Sequence, residues 1–281
     1  MSYTERALSF SCHDAALYGI VSVPQLPASR GVLIVVGGPQ YRVGSHRQFT
    51  LLARGLAAAG VPVMRFDYRG MGDSEGETTA FDNVNDDMRA AIDRFFVELP
   101  LLEDIVIWGL CDAASAALFY APTDARVSGL VLLNPWIRTE SGHARARLRH
   151  YYPARLCDRE LWQKIFRGRI DYVASLRSFL HVIKHRLGRR PGMTGVTGGS
   201  LPDRMRAQFG RFGGKVLLIM SGRDLTAAEF LDTVAASREW QQVLASSNVT
   251  RHDLAAADHT FSRREWRDQV TAWSRSWIQS W

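Results

Sequence analysis

The feature that most constrains this chain is the regular alternation of short apolar segments, rich in Val, Ile and Leu, with segments of helical periodicity. Two parallel strands need a crossover connection, usually a helix, so strict alternation predicts a mostly parallel sheet with helices on both faces. The predicted fold class is therefore α/β. The predicted strands are residues 31–36, 61–67, 104–110, 128–135, 215–222 and 249–255.

Helices and a hairpin complete this pattern. Phe49, Leu52 and Leu56 recur at the spacing of one helix face. Two apolar segments joined by a polar HDA, residues 7–12 and 16–24, predict an N-terminal hairpin. Helices are predicted near residues 46–59, 81–98 and 226–246. A further helix follows the strand 104–110 and ends at about residue 121, and the last one begins at about residue 262.

The alternation stops between residues 136 and 214, where the pattern is helical but irregular. It resumes at residue 215, which makes this segment an insertion between two strands. Ligands of such sheets bind beyond the carboxyl ends of the strands, where an emerging insertion can cover them. We expect one α/β core, residues 1–135 and 215–281, and a mainly helical cap, residues 136–214.

The predicted cap is also the basic part of the chain. It carries 17 Lys and Arg against 5 Asp and Glu, a net charge of +12, whereas the rest has a net charge of −5. Arg145 and Arg149, with Arg147 between them, would attract an anionic substrate, free or carrier-bound. A solvated basic face or peripheral contact with a membrane surface is the alternative. Nucleic-acid binding is not expected, because no DNA- or RNA-binding module is recognised.

The N-terminus and the cysteines limit the cellular setting. Glu5 and Arg6 interrupt the first apolar stretch, so we expect neither a signal peptide nor a spanning helix, and a cytoplasmic location. Cysteines stand at 12, 111 and 157, an odd number without paired spacing. This pattern predicts free thiols, no metal site and no cofactor.

The stretch WGLCDAAS, residues 108–115, places Cys111 at a strand-to-helix turn. A nucleophile elbow holds its central residue in a strained conformation, so the positions two before and two after it must be small. Gly109 meets that requirement and Ala113 meets it loosely. The alternative is a small buried cysteine that fills a tight corner.

Two further residues follow strands in the order that an acid and a base would take. Asp224 stands in SGRD after one predicted strand, and His259 stands in AADHTF after the last one. A thiol nucleophile needs a base within hydrogen-bonding reach and a third group to orient that base. Asp224 could instead only cap a helix, in which case Asp253 or Asp258 would be the acid.

Three motifs together carry a resemblance to a known family. The chain resembles the α/β-hydrolase superfamily in the motifs VVGGPQYRVGSHRQF, FDYRGMGDSEG and WGLCDAAS. The combination is most similar to the group called exosortase A system-associated hydrolase 1, encoded near bacterial exopolysaccharide and exosortase genes. This resemblance implies an α/β-hydrolase fold and places Cys111, Asp224 and His259 at the triad positions. The cysteine departs from the usual serine of the superfamily, as Ala113 departs from the usual second glycine.

The loop after the first parallel strand is the candidate oxyanion hole. It resembles an H-G-G-P pattern with Val36 in place of the histidine. On that register the backbone N–H groups of Gly38 and Asp112 would bind the oxyanion. If the register slips by one residue, Pro39, which has no N–H, occupies the donor position. Candidate substrate-binding residues are Gln40, His46, Arg47 and Trp136, although His46 and Arg47 could simply begin a helix.

These residues predict a hydrolase or acyltransferase with a Cys-His-Asp triad. A thiolate at a helix N-terminus and beside a histidine can attack an ester, thioester or lactone. A peptide is a poorer substrate, because the thiolate leaves the tetrahedral intermediate more readily than an amine does. The alternative function is a catalytically weak scaffold that serves as a binding partner in exopolysaccharide or exosortase machinery.

Overall fold

The computed structural model describes residues 2–38, 40–137 and 199–281, which form a central sheet of eight strands. The strand order is β1-β2-β4-β3-β5-β6-β7-β8, and the strands from β4 to β8 in this order run parallel. β2 pairs antiparallel with both β1 and β4. The strands are β1 Tyr3–Cys12, β2 Ala15–Pro24, β3 Arg30–Val35, β4 Val63–Asp67, β5 Asp104–Leu110, β6 Val127–Leu133, β7 Lys215–Ser221 and β8 Val249–Leu254.

All six predicted core strands are present, with ends that move by at most two residues. The N-terminal hairpin is also present, but its first strand begins at Tyr3, four residues before the predicted start. The four strands β3, β5, β6 and β7 are almost wholly buried, which explains their continuous apolar sequences. The α/β fold predicted from the alternation is confirmed.

Seven helices occur in the described part of the chain, and they cover both faces of the sheet. Trp108 shows one face: its indole packs against Phe49 of α1 and donates to Ser274 Oγ of α7 at 3.3 Å. The neighbouring Gly109 faces α3, as the alternation of a strand requires. The helices are α1 Gln48–Ala58, α2 Asn85–Glu98, α3 Asp112–Tyr120, α4 Leu201–Arg211, α5 Leu225–Ala235, α6 Arg238–Leu244 and α7 Arg264–Ile278.

The single helix predicted near 226–246 is wrong, because two helices, α5 and α6, occupy this stretch. Ser237 separates them and caps α6 by accepting a hydrogen bond from Trp240 N at 3.3 Å. The break lets Trp240 pack edge-on against both Phe230 and Phe209. Burial of this tryptophan outweighs the helical periodicity that runs through the break.

Most of the predicted cap, residues 138–198, lies outside the described residues, so the cap and its boundaries stay a prediction. The described end of that segment is α4, which Ser200 caps. Met205 and Phe209 of α4 are buried in the core of the sheet domain. Among the described residues, no helix combines the length and the apolar character needed to cross a membrane.

Candidate active site

Cys111 lies between β5 and α3 in a strained backbone conformation. Its φ of 63° and ψ of −124° are rare for a residue with a side chain and cost about 1–3 kcal/mol. Hydrogen bonds to the end of β6 and to the segment after it hold the turn: Cys111 N donates to Leu133 O at 2.9 Å, and Trp136 N donates to Cys111 O at 3.2 Å. The half-buried side chain is thereby held at the carboxyl edge of the sheet.

The small residues on either side of Cys111 allow this turn. A Cβ added to Gly109 would lie 2.7 Å from the backbone carbonyl of Ala113, so only glycine fits there. Ala113 is buried, and its methyl group is accommodated. Position 109 thus has a strict size requirement, whereas an alanine is tolerated at position 113.

Asp224 and His259 are in direct contact. His259 Nδ1 lies 2.8 Å from Asp224 Oδ2. The Asp224 side chain is only 7% exposed, and the same carboxylate caps α5 by accepting from Thr226 N and Ala227 N, each at 3.1 Å. One rigidly held carboxylate therefore both caps the N-terminus of α5 and contacts the imidazole of His259.

The charge state of His259 follows from its neighbours. Burial lowers the pKa of the imidazole, but hydrogen bonds to Asp224 and Cys111 and the negative charges of both outweigh burial and raise this pKa to about 10. Nδ1 is occupied by Asp224, so Nε2 is the ring nitrogen that remains for Cys111. The arrangement favours a protonated imidazole beside the sulfur at neutral pH.

The two substitute acids make other contacts. Asp253 is exposed on β8 and pairs with Arg251 at 2.7 Å. Asp258 accepts hydrogen bonds from the backbone N–H, at 2.9 Å, and the hydroxyl of Ser262. Burial raises the pKa of Asp258, but the bonds to Ser262 outweigh it and lower that pKa. Asp224 is the carboxylate placed against His259.

Asn134 is a positioning residue that sequence analysis missed. It is fully buried just after β6, with a φ of 43°. Its Nδ2 donates to Ser221 Oγ at 2.9 Å and to His259 O at 3.2 Å, while its Oδ1 accepts from Ser221 N at 2.9 Å. The side chain ties the end of β7 to the His259 loop. An asparagine directly after an apolar strand was the available signal, because asparagine tolerates positive φ.

The oxyanion side of the site has a different character. Gly38 has a φ of 60°, and its N–H donates to Asp112 Oδ2 at 2.9 Å. Asp112 Oδ1 accepts from Ala113 N at 3.0 Å. The predicted donor Gly38 therefore lies beside Asp112, but it contacts the carboxylate of that residue. The alternative donor position, Pro39, is outside the described residues.

The candidate substrate-binding residues are dispersed. Trp136 stacks on Phe81, with 6.4 Å between the ring centroids, and its backbone N–H donates to Cys111 O, which puts it next to the candidate nucleophile. Gln40 Oε1 accepts from Ser45 N at 3.2 Å and so stabilises its own loop. Arg145 and Arg149 lie outside the described residues.

His46 and Arg47 form an exposed turn before α1, and both have positive φ. Arg47 lines a cavity of about 420 Å³ that continues along α1 and α7 and is also lined by Trp108 and Phe261. The negative charge of Asp258 is near His46, which lowers the pKa of Asp258 slightly further. No described contact joins either residue to Cys111.

The loop DYRGMGDSEG supports the site from the side. Asp67 is fully buried and accepts from the guanidinium and, at 2.6 Å, the backbone N–H of Arg42, whose guanidinium also pairs with Asp73 at 2.5 Å. Arg69 pairs with the buried Asp87 at 2.8 Å. The charges of the loop are therefore paired with partners in neighbouring segments, Arg42 after β3 and Asp87 in α2. No cluster of metal-ligating side chains occurs within the described ranges.

A nucleophile elbow and an Asp-His pair at the carboxyl edge of this sheet define an α/β-hydrolase. The chain belongs to the Hydrolase_4 family, described as serine aminopeptidase, S33, whose family model matches residues 27–178. That description names a serine peptidase, whereas the candidate nucleophile of this chain is a cysteine, Cys111. No curated protein matches the chain significantly.

Solved structures with this fold include several hydrolases. The esterase Pf2001 of Pyrococcus furiosus is 15% identical with a TM-score of 0.68, over 99% of this chain and 92% of that one. A dienelactone hydrolase of Anabaena variabilis is 15% identical with a TM-score of 0.63, over 100% and 99%. Est1E of Butyrivibrio proteoclasticus, solved with ferulic acid, is 14% identical with a TM-score of 0.61, over 96% and 97%. At these identities the likeness establishes the fold.

Proposed function

We propose that this α/β-hydrolase acts on activated acyl groups through a covalent acyl-cysteine, with Cys111 as nucleophile, His259 as the proton-transfer group and Asp224 as the acid that orients it. One observation carries the proposal. The elbow residue Cys111 and the buried Asp224 both interact with the same imidazole, that of His259, at the edge where such sheets bind ligands.

The geometry gives each residue a step in the reaction. The Cys111 thiolate attacks the carbonyl carbon, a C–S bond forms, and the electron pair of the C=O bond moves to oxygen. When this intermediate collapses, the bond to the leaving group breaks and the His259 imidazolium supplies its proton. Neutral His259 then removes a proton from water, or from an acceptor alcohol or thiol, which attacks the thioester and releases Cys111. Asp224 stabilises the imidazolium in both half-reactions.

The nucleophile favours esters, thioesters and lactones as substrates. A thiolate is a better leaving group than an amine, so an amide intermediate reverts unless the His259 imidazolium protonates the leaving nitrogen, whereas an activated acyl group needs less of this assistance. Peptide hydrolysis, which the family description names, is therefore not part of this proposal. The basic segment, residues 136–214, favours an anionic or carrier-bound acyl donor. The similarity to the exosortase A system-associated group suggests that donor and acceptor belong to bacterial polysaccharide export.

Intact mass spectrometry tests the proposal with a panel of neutral and anionic p-nitrophenyl esters and acyl-thioesters. We expect an adduct with the mass of the acyl group, located at Cys111 and missing in Cys111→Ala. Faster labelling by anionic donors at low salt, lost at high salt, would identify an electrostatic contribution. Equal turnover of the esters by wild-type protein and Cys111→Ala would overturn the cysteine mechanism.

A second candidate function is a binding scaffold with little catalysis. The observation that favours it is the Asp112 carboxylate on the N–H of Gly38, because this contact places a negative charge where an acyl-transfer site needs hydrogen-bond donors. The same experiment separates the two functions, since a scaffold would form no acyl adduct with any member of the panel.

A further inference from the structure

The hydrogen-bond donors predicted to bind an oxyanion are already occupied by a side chain of the protein. Gly38 N donates to Asp112 Oδ2 at 2.9 Å. The backbone N–H of Asp112 is close enough to its own carboxyl to lower the pKa of that group. These two N–H groups are the ones that an incoming carbonyl oxygen would need. A further bond, from Ala113 N to Oδ1 at 3.0 Å, fixes the carboxylate in this position.

The surrounding backbone is shaped around this carboxylate. A Cβ on Gly37 would lie 2.2 Å from Asp112 Oδ1 and 2.8 Å from Leu110 O, so the loop approaches the elbow this closely only with glycine. Asp112 is also the first residue of α3, where the helix dipole stabilises a negative charge. The loop after β3 and the turn after β5 therefore both favour the contact between Gly38 N and the Asp112 carboxylate.

The surroundings of Asp112 act on its charge in opposite directions. Burial raises the pKa of the Asp112 carboxyl, and the backbone hydrogen bonds and the positive charge of His259 offset that rise only in part, so the pKa stays raised. Tyr68 is buried nearby, and its pKa is raised by burial and by the charge of Asp112. A carboxylate in this place would lie against the oxyanion that forms when Cys111 attacks a carbonyl, and two like charges in contact strongly destabilise each other.

We infer that Asp112 is a specificity-determining residue, whose carboxylate occupies the oxyanion hole in the free protein and must be displaced by the substrate carbonyl before Cys111 can attack. The inference rests on the proposed acyl transfer. A substrate that binds through additional contacts offsets the cost of displacement, whereas a small ester with few contacts does not. Asp112 thus protects the acyl-cysteine site from small esters.

The test compares two reactions of Cys111 in the full-length protein. Acylation by p-nitrophenyl acetate forms an oxyanion, whereas alkylation by iodoacetamide displaces iodide at a CH₂ group and forms none. The ratio of the acylation rate to the alkylation rate therefore reports the oxyanion hole separately from sulfur reactivity. We expect Asp112→Ala to raise this ratio about tenfold or more, because both donors become free.

Asp112→Asn is the matched variant, since it keeps the size and an acceptor oxygen but removes the charge. We expect its ratio to lie between those of wild type and Asp112→Ala, and this near-isosteric change keeps the test valid if the alanine variant does not fold. An unchanged or lower ratio in the folded variants would overturn the inference. Ester turnover that survives in Cys111→Ala would instead overturn the proposed function on which it rests.

Discussion

The two halves of the candidate site differ in their readiness for chemistry. On the proton-transfer side, Asp224, His259 and Cys111 are already assembled, with a contact of 2.8 Å between the first two. On the oxyanion side, the N–H of Gly38 is taken by the Asp112 carboxylate. In the proposed mechanism, a nucleophile–base pair and an available oxyanion hole are separate structural conditions, and the described contacts fit the first but not the second.

The physical origin of the difference lies in what each carboxylate contacts. Asp224 is 7% exposed, accepts two backbone N–H groups of α5 and adds the imidazole of His259, so its charge supports a positive group. Asp112 also accepts backbone N–H groups, and one of them, that of Gly38, is a donor that the proposed reaction requires. Similar hydrogen bonding would therefore assist the proposed reaction at Asp224 and oppose it at Asp112.

Removal of the base is expected to have the largest effect on the proton-transfer side. His259→Ala should slow Cys111 acylation by about 10³- to 10⁴-fold, because the imidazole that holds the thiolate and protonates the leaving group is lost. Stopped-flow release of p-nitrophenol measures the rate. Asp258→Asn is the matched control in the same loop and should retain the wild-type rate. Equal rates in His259→Ala and wild type would remove His259 from the mechanism.

Asp224→Asn should have a smaller effect, about 10²-fold on acylation, because the imidazole loses its charge partner while the asparagine still caps α5. Asp224→Ala loses both functions and should also lower the free energy of unfolding by about 1 kcal/mol. Acylation kinetics and urea denaturation of the two variants separate the roles. The control is Asp253→Asn on β8, and damage in that control with normal activity in Asp224→Asn would reassign the acid.

A third expected effect concerns stability as a function of pH. The pKa of His259 rises from an ordinary value near 6.5 to about 10 in the folded protein, so the native state binds this proton more tightly than the unfolded chain. The resulting stabilisation is fully present below about pH 6.5, declines as the pH rises, and is lost above about pH 10. Urea denaturation of wild type and His259→Gln between pH 6 and 10 should give stabilities that converge with rising pH. Parallel curves would contradict the raised pKa.

The strands and the chain order of the site were predictable because they depend on local patterns. Buried parallel strands require continuous apolar segments, and these gave all six predicted core strands within one or two residues. Cys111, Asp224 and His259 each follow a strand, and the carboxyl ends of parallel strands meet at one edge. The order of the segments was thus enough to predict that the three residues converge.

The break between α5 and α6 was not predictable from periodicity. Apolar residues occur on both sides of Ser237, and the packing of Trp240 against Phe209 of α4 adds to the cap of Ser237 in favouring two helices. Phe209 is distant in sequence and belongs to a segment that was assigned to the cap. Asn134 was missed for a similar reason, since its hydrogen bonds reach 87 residues to Ser221 and 125 residues to His259.

By itself, the sequence determined an α/β sheet, a turn of small residues around Cys111 and three residues at strand ends that suit acyl transfer. It could do so because the spacing of apolar residues, the positions of glycines and the order of segments along the chain can all be read locally. The tertiary structure decided where the Asp112 side chain lies. Its carboxylate meets Gly38 across 74 residues, and this contact exists because β3 and β5 are neighbours in the sheet and end side by side. A short acidic side chain between two such loops bonds to whichever N–H groups the packing presents.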